Sequence, residues 1–408
     1  MSNLPVPGVA MSGVAVSDEP AGRVTVDVRH RFPGLANGWA RFDGPGGTQV
    51  VDTAIDASAE WQRSGNNANS HGAFAAAAAC DDLVERTQAV MGELLGADPS
   101  GFVFGPSTTS NVFSITRAIG RDLGPGDEIV CTRLDHDSNI SPWQLIGADT
   151  GATVRMADFD AASGRLETSA VTALLNERTR WVAVTGASNA IGTMPEIAAI
   201  TAAAHHAGAK VAVDGVHLTP HAPVDLATVG CDVYSTSSYK WYGPHAGITW
   251  VEPELLDRLP VYKVRPAPAT GPGRLQLGTP AYESLAGIEA AARFLLSEGM
   301  ATIANHERVL FSRLLEGMLA MPNVRVIGPH DTASRAPTLA FLVDGHTPND
   351  VARALAGREI AVWDGNYYAV EVMNGYGLDV ATGAVRAGLA AYTNNSDIDR
   401  LLDAVAAL

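Results

Sequence analysis

A chain of 408 residues is longer than one hydrophobic core usually serves, so two domains are expected. With 46% hydrophobic, 18% charged and 6% aromatic residues it can bury a core, and it lacks the composition of a disordered, collagenous or coiled-coil chain. The 44 acidic residues against 28 Lys plus Arg give a formal charge of -16, which repels phosphate backbones and anionic lipid and argues against nucleic acid or membrane partners.

Residues 1–22 hold Pro, Gly and Ser but no basic segment followed by an apolar run, and are expected to form a flexible leader. From about 80 to 250, short β-branched runs alternate with Ala-rich segments of helical period, the rhythm of a βα-repeating sheet. Strands are expected at 101–104, 128–132, 153–156, 180–185, 210–214, 232–236 and 247–251, each apolar on both faces as in a sheet covered on two sides. Helices are expected at 108–119, 141–147 and 195–207, with Pro195 in the first turn of the last.

Residues 260–280 are rich in Pro and Gly and predict a long irregular crossing near a domain change. Helices at 282–298 and 301–320 follow, then strands at 324–327, 338–343 and 360–363, a helix at 350–356, a strand at 384–391 and a terminal helix from Asp397. The expected division is a large domain over 23–280 and, over 281–408, a helical connection with a smaller α+β domain. No run of 18 uninterrupted apolar residues and no internal repeat occurs.

The three cysteines, Cys80, Cys131 and Cys231, lie far apart without CxxC spacing, which suits a reduced, cytoplasmic setting and gives no metal site. Neither GxGxxG nor GxxxxGK[ST] occurs, so a dinucleotide or nucleoside triphosphate is not the expected ligand. Lysine is scarce, at Lys210, Lys240 and Lys263 alone, yet one of these sits in SSYKWYGP between a predicted strand and a Gly-Pro turn. Flanked by Tyr239, Trp241 and Tyr242, its amine would be desolvated and its pKa lowered, as a Schiff-base lysine requires. A stem packed on aromatic rings fits the same residues.

Asp214 ends the apolar strand VAVD, where the side chains of an α/β sheet meet its ligand. A carboxylate there suits a cationic partner such as the protonated ring nitrogen of pyridoxal phosphate, or it caps the next turn. His217 follows three residues on, and could hydrogen-bond that cofactor's phenolic oxygen or line a loop. GPSTTSN at 105–111 joins a strand to a helix whose free amides would hold a phosphate, or which Ser and Thr simply cap. His136, in a loop after another strand, could stack on a pyridine face.

GPSTTSN, DHDSNISPWQ, SNAIGTM, VDGVHLTPHAPVDL, STSSYKWYGPHAG, LGTPAYESLAG and VRAGLAAYTNNSDIDRLL stand in the order and spacing of the cysteine desulfurase-like, class V aminotransferase family, which the chain resembles over about 30–407. The resemblance implies a fold type I pyridoxal-phosphate enzyme, α/β, with a mostly parallel sheet in the large domain. It implies Lys240 as the Schiff-base lysine, Asp214 on the pyridine nitrogen, His217 near the phenolic oxygen and His136 on the ring. Thr108, Thr109, Ser237 and Tyr239, the last in place of a more usual His, would meet the phosphate. Gly278 and Thr279 would reach the phosphate of a second subunit, implying a homodimer with its active sites at the subunit interface. Asn189 would approach cofactor or substrate, and Arg386 would clamp the substrate carboxylate.

The family's persulfide-forming cysteine sits on a small-domain loop, and here that segment reads VWDGNYYAVEV. Trp363 takes the position of a usual Arg and Tyr368 falls about where the cysteine would be, so both are expected to meet the substrate. With RFPGL and GGTQ near 31–49, this resembles a subgroup lacking the catalytic-loop cysteine. The expected activity is attack on an amino acid bound to the cofactor through its amine: α-proton removal, with Lys240, His136 and Asp214 as the catalytic residues, then cleavage of a Cβ–S or similar bond. An aminotransferase or amino-acid epimerase is the alternative, and a non-catalytic cofactor-binding scaffold a third.

Overall fold

The computed structural model describes residues 26–408, so the leader expected at 1–22 lies outside the described residues. Seven strands form one sheet in the order Phe102–Gly105, Gly247–Val251, Val233–Ser237, Lys210–Asp214, Thr179–Thr185, Glu128–Thr132 and Thr153–Ala157. Only Gly247–Val251 runs against its neighbours; every other adjacent pair is parallel. Successive side chains enter opposite cores. Val211 and Val213 join the layer containing Tyr234, Ile248 and Trp250, whereas Ala212 joins that of Ile129, Trp181 and Val251. Two-sided burial is why these strands read as unbroken apolar runs, and it fixes register, because a one-residue slip would exchange the two faces.

A second sheet is antiparallel, in the order Trp363–Gly365, Ala384–Gly388, Thr338–Val343 and Val324–Ile327. Its apolar face packs with Leu310, Phe311 and Leu314 of the helix Met300–Leu319 and with Ile398 and Leu401 of Asn395–Ala406. Thr347 with Asp350 and Asn394 with Asp397 form reciprocal capping boxes that start the helices Pro348–Ala356 and Asn395–Ala406.

The single strand expected at 360–363 is two. Ile360–Ala361 pairs in parallel with Ala40–Arg41, and Trp363–Gly365 pairs with Ala384–Gly388 in another sheet. The early segment around Ala40 competes for the first half of this run, which the local pattern cannot reveal. Pro195 lies before its helix rather than in the first turn, since Ile197–His206 begins after Glu196 and the Ile197 N–H donates to the Pro195 carbonyl. Two helices that the pattern did not suggest, Asp52–Arg63 and Ala75–Leu95, pack on Tyr282–Glu298. Ala75–Leu95 ends at Gly96, whose φ of 58° is the left-handed conformation that glycine adopts without a Cβ penalty. Among the described residues no helix is long and apolar enough to cross a membrane.

Candidate active site

The strands ending at Gly105, Thr132, Thr185, Asp214 and Ser237 all point their carboxyl ends to one edge of the large sheet, the place where open α/β sheets bind ligands. A cavity of about 1110 Å³ opens there. Lys240 enters it from the 3-10 turn Ser238–Lys240, directly after the strand Val233–Ser237. Its Nζ donates to the Pro45 carbonyl and lies 5.0 Å from the Tyr239 ring centroid. Burial, with the Arg386 charge, pulls the amine down to about 7, against the opposing pull of Asp214.

Asp214 is buried at the end of its strand and accepts the Val216 N–H at 3.0 Å. Burial raises its carboxyl to about 6, opposed by that hydrogen bond and by Lys240. His217 is buried too, with Nε2 3.0 Å from Thr338 Oγ1. His136 sits at the head of the turn Asp137–Asn139, where its Nδ1 accepts the Ser138 N–H at 3.0 Å. Burial, then the Lys240 and Arg386 charges, lower this imidazole to about 3, so it is neutral.

At the start of the helix Thr108–Gly120, Ser107 caps by accepting the Ser110 N–H, and Thr108 Oγ1 lies 2.7 Å from Ser237 Oγ. The Thr108 and Thr109 amides, in the first turn, have no hydrogen-bond partner among the described residues. With the positive end of the helix dipole these donors suit a phosphate. Tyr239 closes this side, its ring stacked on His245 at 4.8 Å between centroids.

Arg386, on the strand Ala384–Gly388, comes in from the second sheet. Its Nη1 donates to the Asn189 carbonyl at 2.8 Å, while its buried Nε and the Asn189 Oδ1 have no hydrogen-bond partner among the described residues. A cavity holding a lowered lysine, a buried carboxylate and an unsatisfied arginine beside free helix-start amides therefore fits an anionic, phosphate-bearing cofactor and a carboxylate substrate.

Tyr367 and Tyr368 line the cavity in an uncommon way: both are left-handed, with φ of 52° and 58°. Such strain persists where the surroundings hold it. Here the Asn189 side-chain amide donates to the Tyr367 carbonyl at 2.9 Å, and the Asp137 N–H to the Tyr368 carbonyl at 2.7 Å. The Tyr368 ring lies 5.4 Å from that of His136. Trp363 donates to the Asp43 carbonyl at 3.3 Å and lies over Gly46.

Thr108, Thr109, His136, Asn189, Asp214, His217, Ser237, Tyr239, Lys240, Trp363, Tyr368 and Arg386 thus line one cavity. Gly278 and Thr279 do not; both are exposed, with Leu277 beside them. Two wall residues, Pro45 and Gly46, carry no chemical side chain and gave no individual signal beyond lying in a glycine-rich loop. Asp135 was also missed. It lies outside the cavity lining, accepts from Thr132 and from Asn139, and burial pushes its carboxyl up to about 8.

Residues 41–401 match the aminotransferase class-V family. The chain belongs to that family. It is 32% identical over 395 residues to the cysteine desulfurase of Cronobacter sakazakii, covering 92% of this chain and 96% of the relative. Among solved structures, the apo cysteine desulfurase of Thermococcus onnurineus NA1 is 25% identical with a TM-score of 0.88, covering 94% of this chain and 98% of that one. The Escherichia coli cysteine desulfurase CsdA is 26% identical with a TM-score of 0.84, covering 92% and 96%. This class-V enzyme is therefore cysteine desulfurase-like, has the fold type I architecture and depends on pyridoxal phosphate, whose chemistry the cavity described above fits.

Proposed function

We propose that this class-V enzyme is a lyase that cleaves a Cβ–S bond of an amino acid without forming a persulfide on a cysteine of its own. The observation that carries the reading is the contrast between the site's donors and its thiols. Lys240, Asp214, His136 and Arg386 share the cavity, whereas Cys80, Cys131 and Cys231 are all buried elsewhere and none lines it. Burial also holds the Cys131 and Cys231 thiols far from the thiolate form.

Pyridoxal phosphate, when bound, supplies an electron sink for the charge left at Cα. The chain's own residues supply the rest. Lys240 would hold the cofactor, and its neutral amine would take the Cα proton of the bound amino acid. Asp214 would hold the proton on the pyridine nitrogen, and His217 and His136 would hold the ring. Thr108, Thr109, Ser237 and Tyr239 hold the phosphate. Arg386, with Asn189, clamps the substrate carboxylate, and Trp363 and Tyr368 bound the side chain beyond Cβ. The electron pair from the Cα–H bond then forms the Cα–Cβ double bond while that of Cβ–S leaves with sulfur, which takes up a proton; water hydrolyses the released enamine, through its imine, to the keto acid and ammonia.

In this reading Gly278 and Thr279 reach the phosphate of a second subunit in a homodimer, supported by the exposed, apolar segment holding Tyr262, Val264 and Leu277. Domains over 23–280 and 281–408 would flank the site, and the unpaired cysteines support a reducing, cytoplasmic setting. The test is to offer purified enzyme a panel of cysteine, cystine and S-substituted cysteines and identify the products by mass spectrometry. Pyruvate with ammonia and a free thiol or persulfide compound is expected. A keto acid that retains its sulfur, or an inverted Cα centre, would contradict the lyase reading in favour of transamination or epimerisation.

A further inference from the structure

Behind His217, on the side away from the cavity, lies a buried polar pair that the proposed chemistry does not use. The His221 ring is 5.0 Å from that of His217 at 73°, edge to face. His221 Nδ1 is 2.8 Å from Glu307 Oε2 on the helix Met300–Leu319. His221 is 7% exposed and Glu307 1%. The second carboxylate oxygen, Glu307 Oε1, is buried with no hydrogen-bond partner among the described residues. An acidic side chain this deep is costly unless a cation or a shared proton answers it, and His221 is the only group within hydrogen-bond reach that does so among the described residues.

We infer that Glu307 and His221 are positioning residues that act through His217. His217 Nε2 is engaged by Thr338 Oγ1 on the second sheet, and Nδ1 has no partner among the described residues. The Thr338 hydroxyl fixes one end of the imidazole and the His221 ring fixes its flank, so the plane of His217 is set from behind by groups that never touch the ligand. Glu307 in turn fixes the His221 ring by holding Nδ1. The titratable groups facing His217 are His221, Lys240 and Arg386; those facing Glu307 are His221 and the phenols of Tyr242 and Tyr392. The arrangement is absent from the motif pattern because Glu307 lies 90 residues beyond His217 on an ordinary amphipathic helix.

This inference rests on the proposed contact between His217 and the cofactor, and the test separates the two. Ring nitrogen shifts of 15N-histidine-labelled wild-type holoenzyme should show His217 as one fixed neutral tautomer, and tautomer averaging in the wild type would overturn the inference without any variant. The cofactor absorption maximum is then compared in H217N, E307Q and E307D. H217N should shift the band, E307Q should shift it in the same sense while releasing the His217 tautomer, and E307D should restore both in part. A band unmoved by H217N overturns the reading of His217 itself. A band moved by H217N but not by E307Q, in folded protein, overturns the positioning role alone.

Discussion

The guanidinium carbon of Arg386 lies 4.4 Å from the centroid of the Tyr367 ring, a cation held over an aromatic face deep in the cavity. The Tyr367 hydroxyl donates to the Ala384 carbonyl, two residues from Arg386 on the same strand, so ring and guanidinium are fixed to one another. Burial lowers the Arg386 guanidinium to about 10, which still leaves it cationic at neutral pH.

A planar fork held in this way suits a carboxylate that a lysine ammonium would meet only as a point charge. Arg386→Lys is therefore expected to raise KM for the amino acid by roughly 10- to 100-fold, the loss of one or two charge-assisted hydrogen bonds, with cofactor binding retained. Steady-state kinetics check this, and an unchanged KM would remove Arg386 from the carboxylate site.

Lys240 gives a prediction in pH. Its folded pKa of about 7 lies below the ordinary 10.5, so the reactive neutral amine accumulates as pH rises through about 7, not three units higher. Capture of pyridoxal phosphate by cofactor-stripped enzyme, trapped with borohydride, should rise through that range and then level. It should vanish in Lys240→Ala. A rise confined to the pH range of an ordinary lysine would contradict the desolvated site.

The contact between Gly46 and Trp363 yields a third prediction. A Cβ at Gly46 would stand 2.0 Å from Trp363 Nε1, so the indole must move. Trp363 is 49% exposed and can swing outward, so Gly46→Ala should change substrate affinity and tryptophan emission with little loss of stability. Trp363→Ala added to Gly46→Ala should then have little further effect on KM, because the two act through one contact. Additive effects in the double-mutant cycle would show that they act separately.

Much of the large sheet was legible because both faces of each strand are buried. The runs at 128–132, 210–214 and 247–251 are the strands Glu128–Thr132, Lys210–Asp214 and Gly247–Val251 without a residue's change. Lys240 and Asp214 stood out because a scarce lysine and a strand-end carboxylate are unusual where they stand, and both line the cavity. The elements that went unread depend on distant partners. Ala40–Arg41 is a strand only because Ile360–Ala361 lies beside it, and the alanine-rich start of Ala75–Leu95 has little amphipathic contrast before Tyr282–Glu298 covers it. Pro45 and Gly46 enter the site through backbone and shape, which no local residue pattern encodes.

Catalysis without a protein thiol is tested by the turnover of a Cys80→Ala, Cys131→Ala, Cys231→Ala triple variant. All three side chains are buried and outside the cavity, so the variant, once shown to fold and bind pyridoxal phosphate, is expected to turn over substrate at close to the wild-type rate. Complete loss of turnover in folded, cofactor-loaded protein would contradict the account, because one of those thiols would then be taking the sulfur.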